Sequence, residues 1–232
     1  MPAAAKSAAA PQALVSWSGG KDSCLALWRA RQSGMTIRRL ITALDETGES
    51  SRSHGVLPAL IRAQADALGA DMHFYETSWK NYEEKFVATL RAARAEGITH
   101  AVFGDIDLVP HREWEEKVCA QADVIASLPL WDEPRRKLVD EFLAAGFKAV
   151  VVCVNGTYLG GEFCGREFDA SFLADLPEGV DACGENGEFH TFVYDGPAFK
   201  RPVAFERAAK ERYESPAEFG GTVYYFQRLR AA

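Results

Sequence analysis

The sequence has no CxxC pair and only five cysteines in 232 residues: Cys24, Cys119, Cys153, Cys164 and Cys183. That odd, scattered set excludes a disulfide-stapled scaffold and a thiolate zinc site. With no secretory signal ahead of it, the expected setting is reduced and cytoplasmic. Long apolar runs are missing as well. The longest, such as Ala149 to Val154, is a few residues, so no segment is expected to span a membrane. An excess of positive charge is also lacking, with 26 Lys and Arg against 33 Asp and Glu and a net charge of −7. This argues against coating nucleic acid non-specifically, which needs cations on phosphates, but leaves room for a local basic pocket. There is no internal repeat or low-complexity tract. Apolar residues at 47% and charged residues at 25% are ordinary for a globular chain. The length suits one large domain or two small ones with a substantial core.

Residues 1–11, mostly Ala, read as a disordered lead-in. From Ala13 onward, short apolar runs alternate with amphipathic stretches. Strands are expected over Ala13–Trp17, Ile37–Leu44, Met72–Tyr75, His100–Phe103 and Val124–Leu128. Helices are expected after Gly20 and over Leu57–Leu68, Tyr82–Ala95 and Glu113–Ala122. This rhythm implies an α/β, Rossmann-like parallel sheet with helices on both faces. Ligands then bind beyond the carboxyl ends of the strands, where 18–23, 45–55, 104–110 and 129–131 converge. After Trp131 the rhythm changes to a helix over Glu133–Ala145, a strand over Phe147–Val154, Gly-rich loops, a short helix at Ala170–Leu173, and β-like stretches at Phe189–Tyr194 and Thr222–Gln227. The boundary is placed at 131/132, with a smaller α+β domain closing over the first.

The sharpest motif is Ser18-Gly19-Gly20-Lys21-Asp22-Ser23, between a strand and a helix. Two glycines let the backbone approach a ligand closely. The helix start presents N–H groups and a positive dipole end to an anion. Lys21 adds a cation, Ser18 and Ser23 add hydroxyls, and Asp22 offers a carboxylate to Mg²⁺. It is not a Walker A loop, because Val15 stands where the first glycine belongs and Lys21 precedes Asp22. SGGKDS resembles the pyrophosphate loop of the N-type ATP pyrophosphatases, which cleave ATP between the α and β phosphates.

A second motif, Gly184-Glu185-Asn186-Gly187-Glu188-Phe189-His190-Thr191-Phe192, has two readings in isolation: a solvated acidic turn, or a loop that binds metal or substrate. Together with the first motif it closely resembles the diphthine–ammonia ligase family, which pairs a pyrophosphate loop with a GEGGE-type segment. Further stretches fit the same resemblance: Arg52-Ser53-His54-Gly55-Val56, Gly104-Asp105-Ile106, Arg112 with Glu116, Val118 and Cys119, and Pro129-Leu130-Trp131. Gly160-Gly161-Glu162 with Gly165-Arg166 is the loosest match, since Cys164 replaces a leucine. Of the singled-out residues, all but Trp114 are expected at the sheet end that carries the loop. Trp114 and Trp131 also have a packing reading, His54 a surface-loop reading, and Arg112 a helix-face pairing with Glu115 or Glu116. Cys24 is expected buried and Cys119 structural.

The resemblance implies an ATP-dependent, AMP-forming ligase that uses Mg²⁺. Catalytic residues would be Lys21, Asp22, Glu185, Glu188 and His190. ATP would lie against Ser16, Ser18, Gly19, Gly20, Lys21, Asp22, Ser23, Ala43 and Gly104, with Mg²⁺ on Asp22. The substrate would meet His54, Gly55, Asp105, Arg112, Trp131 and Thr191. Partners would be a small-molecule or protein-borne carboxylate and ammonia. Diphthamide belongs to archaea and eukaryotes, whereas 17 Arg against 9 Lys hints at a GC-rich bacterial genome; the acceptor acid therefore stays open. Alternatives are a tRNA-modifying adenylating enzyme and a non-catalytic ATP or AMP sensor. Apolar residues Tyr224, Tyr225 and Phe226 raise a homodimer as an expectation.

Overall fold

A computed structural model describes residues 9–51, 54–217 and 220–232. Residues 1–8 of the expected lead-in, and Arg52 and Ser53 of the expected substrate loop, lie outside the described residues. Five strands, β1 (Gln12–Ser16), β2 (Thr36–Leu44), β3 (Asp71–Glu76), β4 (His100–Val102) and β5 (Ile125–Ser127), form a parallel sheet in the order β3-β2-β1-β4-β5. Four helices, α1 (Lys21–Gln32), α2 (Pro58–Leu68), α3 (Tyr82–Ala95) and α4 (Val109–Gln121), follow the first four strands in turn. This is the expected Rossmann-like α/β sheet. The order reverses at β1, so β1 and β4 diverge there and leave a crevice at their carboxyl ends.

Side chains alternate across the sheet as the pleat requires. Leu14, Ile41, Ala101 and Phe103 pack on one face with Phe86, Val87 and Leu90 of α3 and Val118 and Cys119 of α4. Ala13, Val15, Leu40 and Val102 pack on the other with α1 and α2. That second core continues without a break into the rest of the chain, which adds α5 (Arg135–Ala144), β6 (Lys148–Asn155), α6 (Ala170–Asp175), β7 (Phe189–Asp195), β8 (Phe205–Glu214) and β9 (Val223–Ala231). The last four strands form an antiparallel sheet in the order β7-β6-β9-β8. Helices α1 and α2 are therefore covered on both sides, and β7 is carried onto the crevice.

β8 was not announced by the sequence pattern. FERAAKERYE shows no apolar alternation and is nearly all exposed, because it is an edge strand whose charges blunt further pairing. Tyr224, Tyr225 and Phe226 are partly buried, since β9 is an interior strand between β6 and β8. The homodimer expectation therefore rests on side chains that are only partly exposed. Among the described residues, no helix is long and apolar enough to cross a membrane.

Candidate active site

A cleft of about 810 Å³ opens at the crevice. Its floor is the β1–α1 turn. Gly19 has φ +83°, and a Cβ there would sit 2.8 Å from Gln64 Oε1. A Cβ on Gly20 would meet His54 Nε2 at 2.9 Å and the Thr191 carbonyl at 3.2 Å. The two glycines are thus required because α2, the 54–55 turn and β7 all press onto the loop. A Cβ on Gly104 would approach the Ser23 amide to 2.8 Å, so β4 closes on the start of α1 in the same way.

The loop is held from several sides. Gln64, fully buried, accepts from Trp17 Nε1 at 2.9 Å and donates to the carbonyls of Gly19 at 3.0 Å and Val193 at 2.6 Å. The Lys21 amide donates to Thr191 Oγ1 at 3.0 Å, and the Val193 amide to the Gly19 carbonyl at 2.9 Å. The Ser18 and Ser23 hydroxyls lie 3.1 Å apart, and Ser18 Oγ accepts from the Gly20 amide. α1 begins at Gly20 without a side-chain cap.

Lys21 is buried, with its ammonium donating to both Asp22 oxygens at 2.9 and 2.7 Å and lying 3.8 Å from Glu185. Burial alone would depress the ammonium. The charges of Asp22 and Glu185, with the hydrogen bond to Asp22, hold it above the ordinary lysine value instead. Glu185 is pushed up by burial and by Asp22, against the pull of Lys21. His54 and His190 pair with ring centroids 4.4 Å apart. Burial, then His190 and Lys21, hold His54 well below its usual value; burial and Lys21 bring His190 to about 4. Both imidazoles are neutral at pH 7.

Most residues expected at the site do gather here. Ser16, Ser18, Lys21, Asp22, Ser23, Ala43, His54, Gly104, Asp105, Glu185, His190 and Thr191 line the cleft, and Gly19 and Gly20 shape its floor. Four do not face it. Glu188 is buried and accepts from the amides of Asp181 at 3.2 Å and Asn186 at 2.9 Å and from Asn186 Nδ2 at 2.9 Å, so it organises the 181–188 loop. Gly55 borders a separate cavity of about 240 Å³ beside β9. Arg112 pairs with Glu116 at 2.7 Å and lies 5.0 Å over the Trp131 ring, outside the cleft. The expectation that set Trp114 apart from the site is overturned: Trp114 lines the cleft and Trp131 does not. The cause is helix phase, since Trp114 shares a face of α4 with Glu115 and Val118.

Sequence reasoning missed several contributors. Gln64 read only as part of an amphipathic helix. Arg135 bonds Asp107 and Asp181 at 2.7 Å and Asn186 at 3.2 Å, tying the β4–α4 turn to the loop that carries Glu185. Cys183, its thiol pushed up to about 12 chiefly by burial, lies with Asp22 and Glu185 in a group whose donor atoms are within 4.8 Å of one another. Tyr75, Tyr82, Phe103 and Trp114 give the cleft an aromatic wall.

Glu115 was also missed. It is 4% exposed, and burial and its hydrogen bond to Asp105 push its carboxyl up to about 10, against an ordinary value of 4.5. A folded-state value raised in this way gives stability that is complete below the unfolded value and lost as the pH rises toward the folded one. Between pH 5 and 9, unfolding free energy should therefore fall with a contribution approaching ~1.4 kcal/mol per pH unit from this group. Urea unfolding across that range should show a flatter profile for Glu115→Gln; an unchanged profile would mean the carboxyl is ionised in the fold.

Two family profiles cover most of this architecture. The diphthamide synthase N-terminal domain matches residues 11–125 and the diphthamide synthase C-terminal domain matches residues 134–218. The chain belongs to the diphthamide synthase family. Its relatives include the diphthine–ammonia ligase of Danio rerio, 23% identical over 217 residues that make up 82% of this chain and 84% of that protein. The Schizosaccharomyces pombe protein of the same name is 24% identical, over 80% of this chain but 34% of its own length. The chain thus spans most of one family member and about a third of another. A solved structure described as a predicted subunit of tRNA methyltransferase from Methanocaldococcus jannaschii is 20% identical, with a TM-score of 0.41 over 61% of this chain and 80% of that one.

Proposed function

We propose that the chain is an ATP-dependent, AMP-forming ligase that converts a carboxylate into an amide through an acyl adenylate. The observation that carries this is the buried Lys21 ammonium at the start of α1, set at the end of a parallel sheet and faced by Asp22 and Glu185. A glycine turn leading into an uncapped helix start is suited to a polyanion. The name shared by the relatives, diphthine–ammonia ligase, supports the same reading.

In this reading residues 12–131 hold the nucleotide and 132–232 form the acceptor side. ATP lies against Ser16, Ser18, Ser23, Ala43, Gly104 and the Gly19-Gly20 turn, with its phosphates over the loop. An oxygen of the acceptor carboxylate attacks the α phosphorus, and the bond to the bridging oxygen breaks to release pyrophosphate. Lys21 balances the charge on that leaving group, a role resting on placement rather than covalent chemistry. The neutral His54 and His190 imidazoles, across the loop from Asp22, orient the acceptor by hydrogen bonds without adding charge. Ammonia then attacks the acyl carbon, the bond to AMP breaks, and the amide leaves. Asp22 and Glu185 suit a divalent cation: they are hard oxygen donors held together against their own repulsion, whereas the Cys183 thiol is not a Mg²⁺ ligand. Mg²⁺ held by those carboxylates would screen the phosphates and make the α phosphorus more electrophilic.

The test is ATP–pyrophosphate exchange with Mg²⁺ and a panel of carboxylic acids. Exchange should appear with the right acid and be lost in Asp22→Asn. Nucleotide binding with no exchange across the panel would favour a sensor and sink the ligase.

A further inference from the structure

The inner face of α4 is apolar at Val118 and Cys119, both buried. One turn earlier the same face carries Glu115, a carboxyl that joins no ion pair among the described residues. Its carboxyl is hydrogen-bonded to Asp105, while Oε2, buried in the wall of the cleft, has no hydrogen-bond partner among the described residues. Leaving such an atom unsatisfied costs stability, so its place in a ligand cleft asks for a ligand N–H or O–H donor. Phe103, Tyr75, Tyr82 and Trp114 line the same cleft, and aromatic faces attract small cations. A divalent metal fits poorly, because no third His, Cys, Asp or Glu joins Asp105 and Glu115 among the described residues.

We propose that Glu115 and Asp105 form the ammonium subsite of the cleft, with Glu115 Oε2 and an Asp105 oxygen accepting its N–H groups against the aromatic wall. The use of the bound ion rests on the ligase reading, but its binding does not. Turning ammonium and an acyl adenylate into amide and AMP releases two protons. Asp105 stands beside the subsite to receive them in turn, and its Oδ1 lies 2.8 Å from Nδ1 of the exposed His111, which leads to solvent.

The probe is ammonium chloride itself, compared with sodium chloride and tetramethylammonium chloride at equal ionic strength. Thermal melts of the full chain, with and without a non-hydrolysable ATP analogue, give the readout. Wild type should gain about 3 °C over sodium with ammonium at about five times its Kd. Glu115→Leu and Asp105→Asn should lose that gain while keeping the stabilisation by the ATP analogue. No ammonium-specific gain in wild type, an equal gain from tetramethylammonium, or loss of the nucleotide's effect instead of the ammonium's would each overturn the subsite. The last outcome would assign Glu115 to a nucleobase amino group. An ammonium effect lost in Glu115→Leu, with no exchange for any acid, would keep the subsite and discard the ligase. An active ligase whose ammonium dependence is unmoved in Glu115→Leu would do the reverse.

Discussion

Replacing Lys21 by methionine is expected to lower ATP–pyrophosphate exchange by about 10²- to 10³-fold, the usual cost of removing one preorganised charge-stabilising donor. The same change should destabilise the fold. Its ammonium is the group that compensates Asp22 and Glu185, and removing one partner of a buried ion pair costs about 3 kcal/mol or more. The two effects separate with pH. Glu185 is already pushed up by burial and by Asp22, and without Lys21 it favours its protonated form more strongly in the fold than in the unfolded chain. The lost stability therefore returns as the pH falls and deepens as it rises. Urea unfolding at pH 5 and pH 8 should show a small deficit at the first and a large one at the second. Exchange should stay low at both. A variant retaining activity within tenfold would remove Lys21 from the mechanism.

The second large effect divides the two glutamates of the GENGE segment. Glu188→Ala deletes a buried acceptor of three N–H groups, and each bond to a charged acceptor contributes about 1.5–3 kcal/mol. A loss of about 4–5 kcal/mol, or roughly 13 °C in melting temperature, is expected. Activity should fall with it because the loop that presents Glu185 loses its shape. Glu185→Gln should do the opposite. It removes a like charge from beside Asp22, so the melting temperature should hold or rise while exchange falls. Melting curves and exchange rates measured together decide the case. A stable but inactive Glu188→Ala would return that residue to the chemistry.

Those two glutamates also mark where sequence reading stops. Both motifs were legible because each depends on local chemistry: glycines where the backbone must turn or be approached, and charges at a helix start. The five parallel strands were legible because apolar alternation and loop spacing are local as well. Which carboxylate of GENGE enters the cleft was not legible. That choice follows from the turns at Gly184 (φ +74°) and Gly187 (φ +83°) and from where the loop docks on α5 through Arg135. Gln64 looked like any polar residue on an amphipathic helix until β7 and the first loop met over it.

The rhythm of short apolar runs and amphipathic stretches, with the two glycine-rich motifs, determined by itself an α/β sheet, a glycine turn at its carboxyl end and a family resemblance. The tertiary structure alone decided that a second sheet seals that turn, that Trp114 rather than Trp131 walls the cleft, and that Glu115 is buried there with an oxygen unpaired among the described residues. Helix phase and docking between distant segments set those facts. Neither leaves a signal in residue order, because each depends on which surfaces lose water against one another.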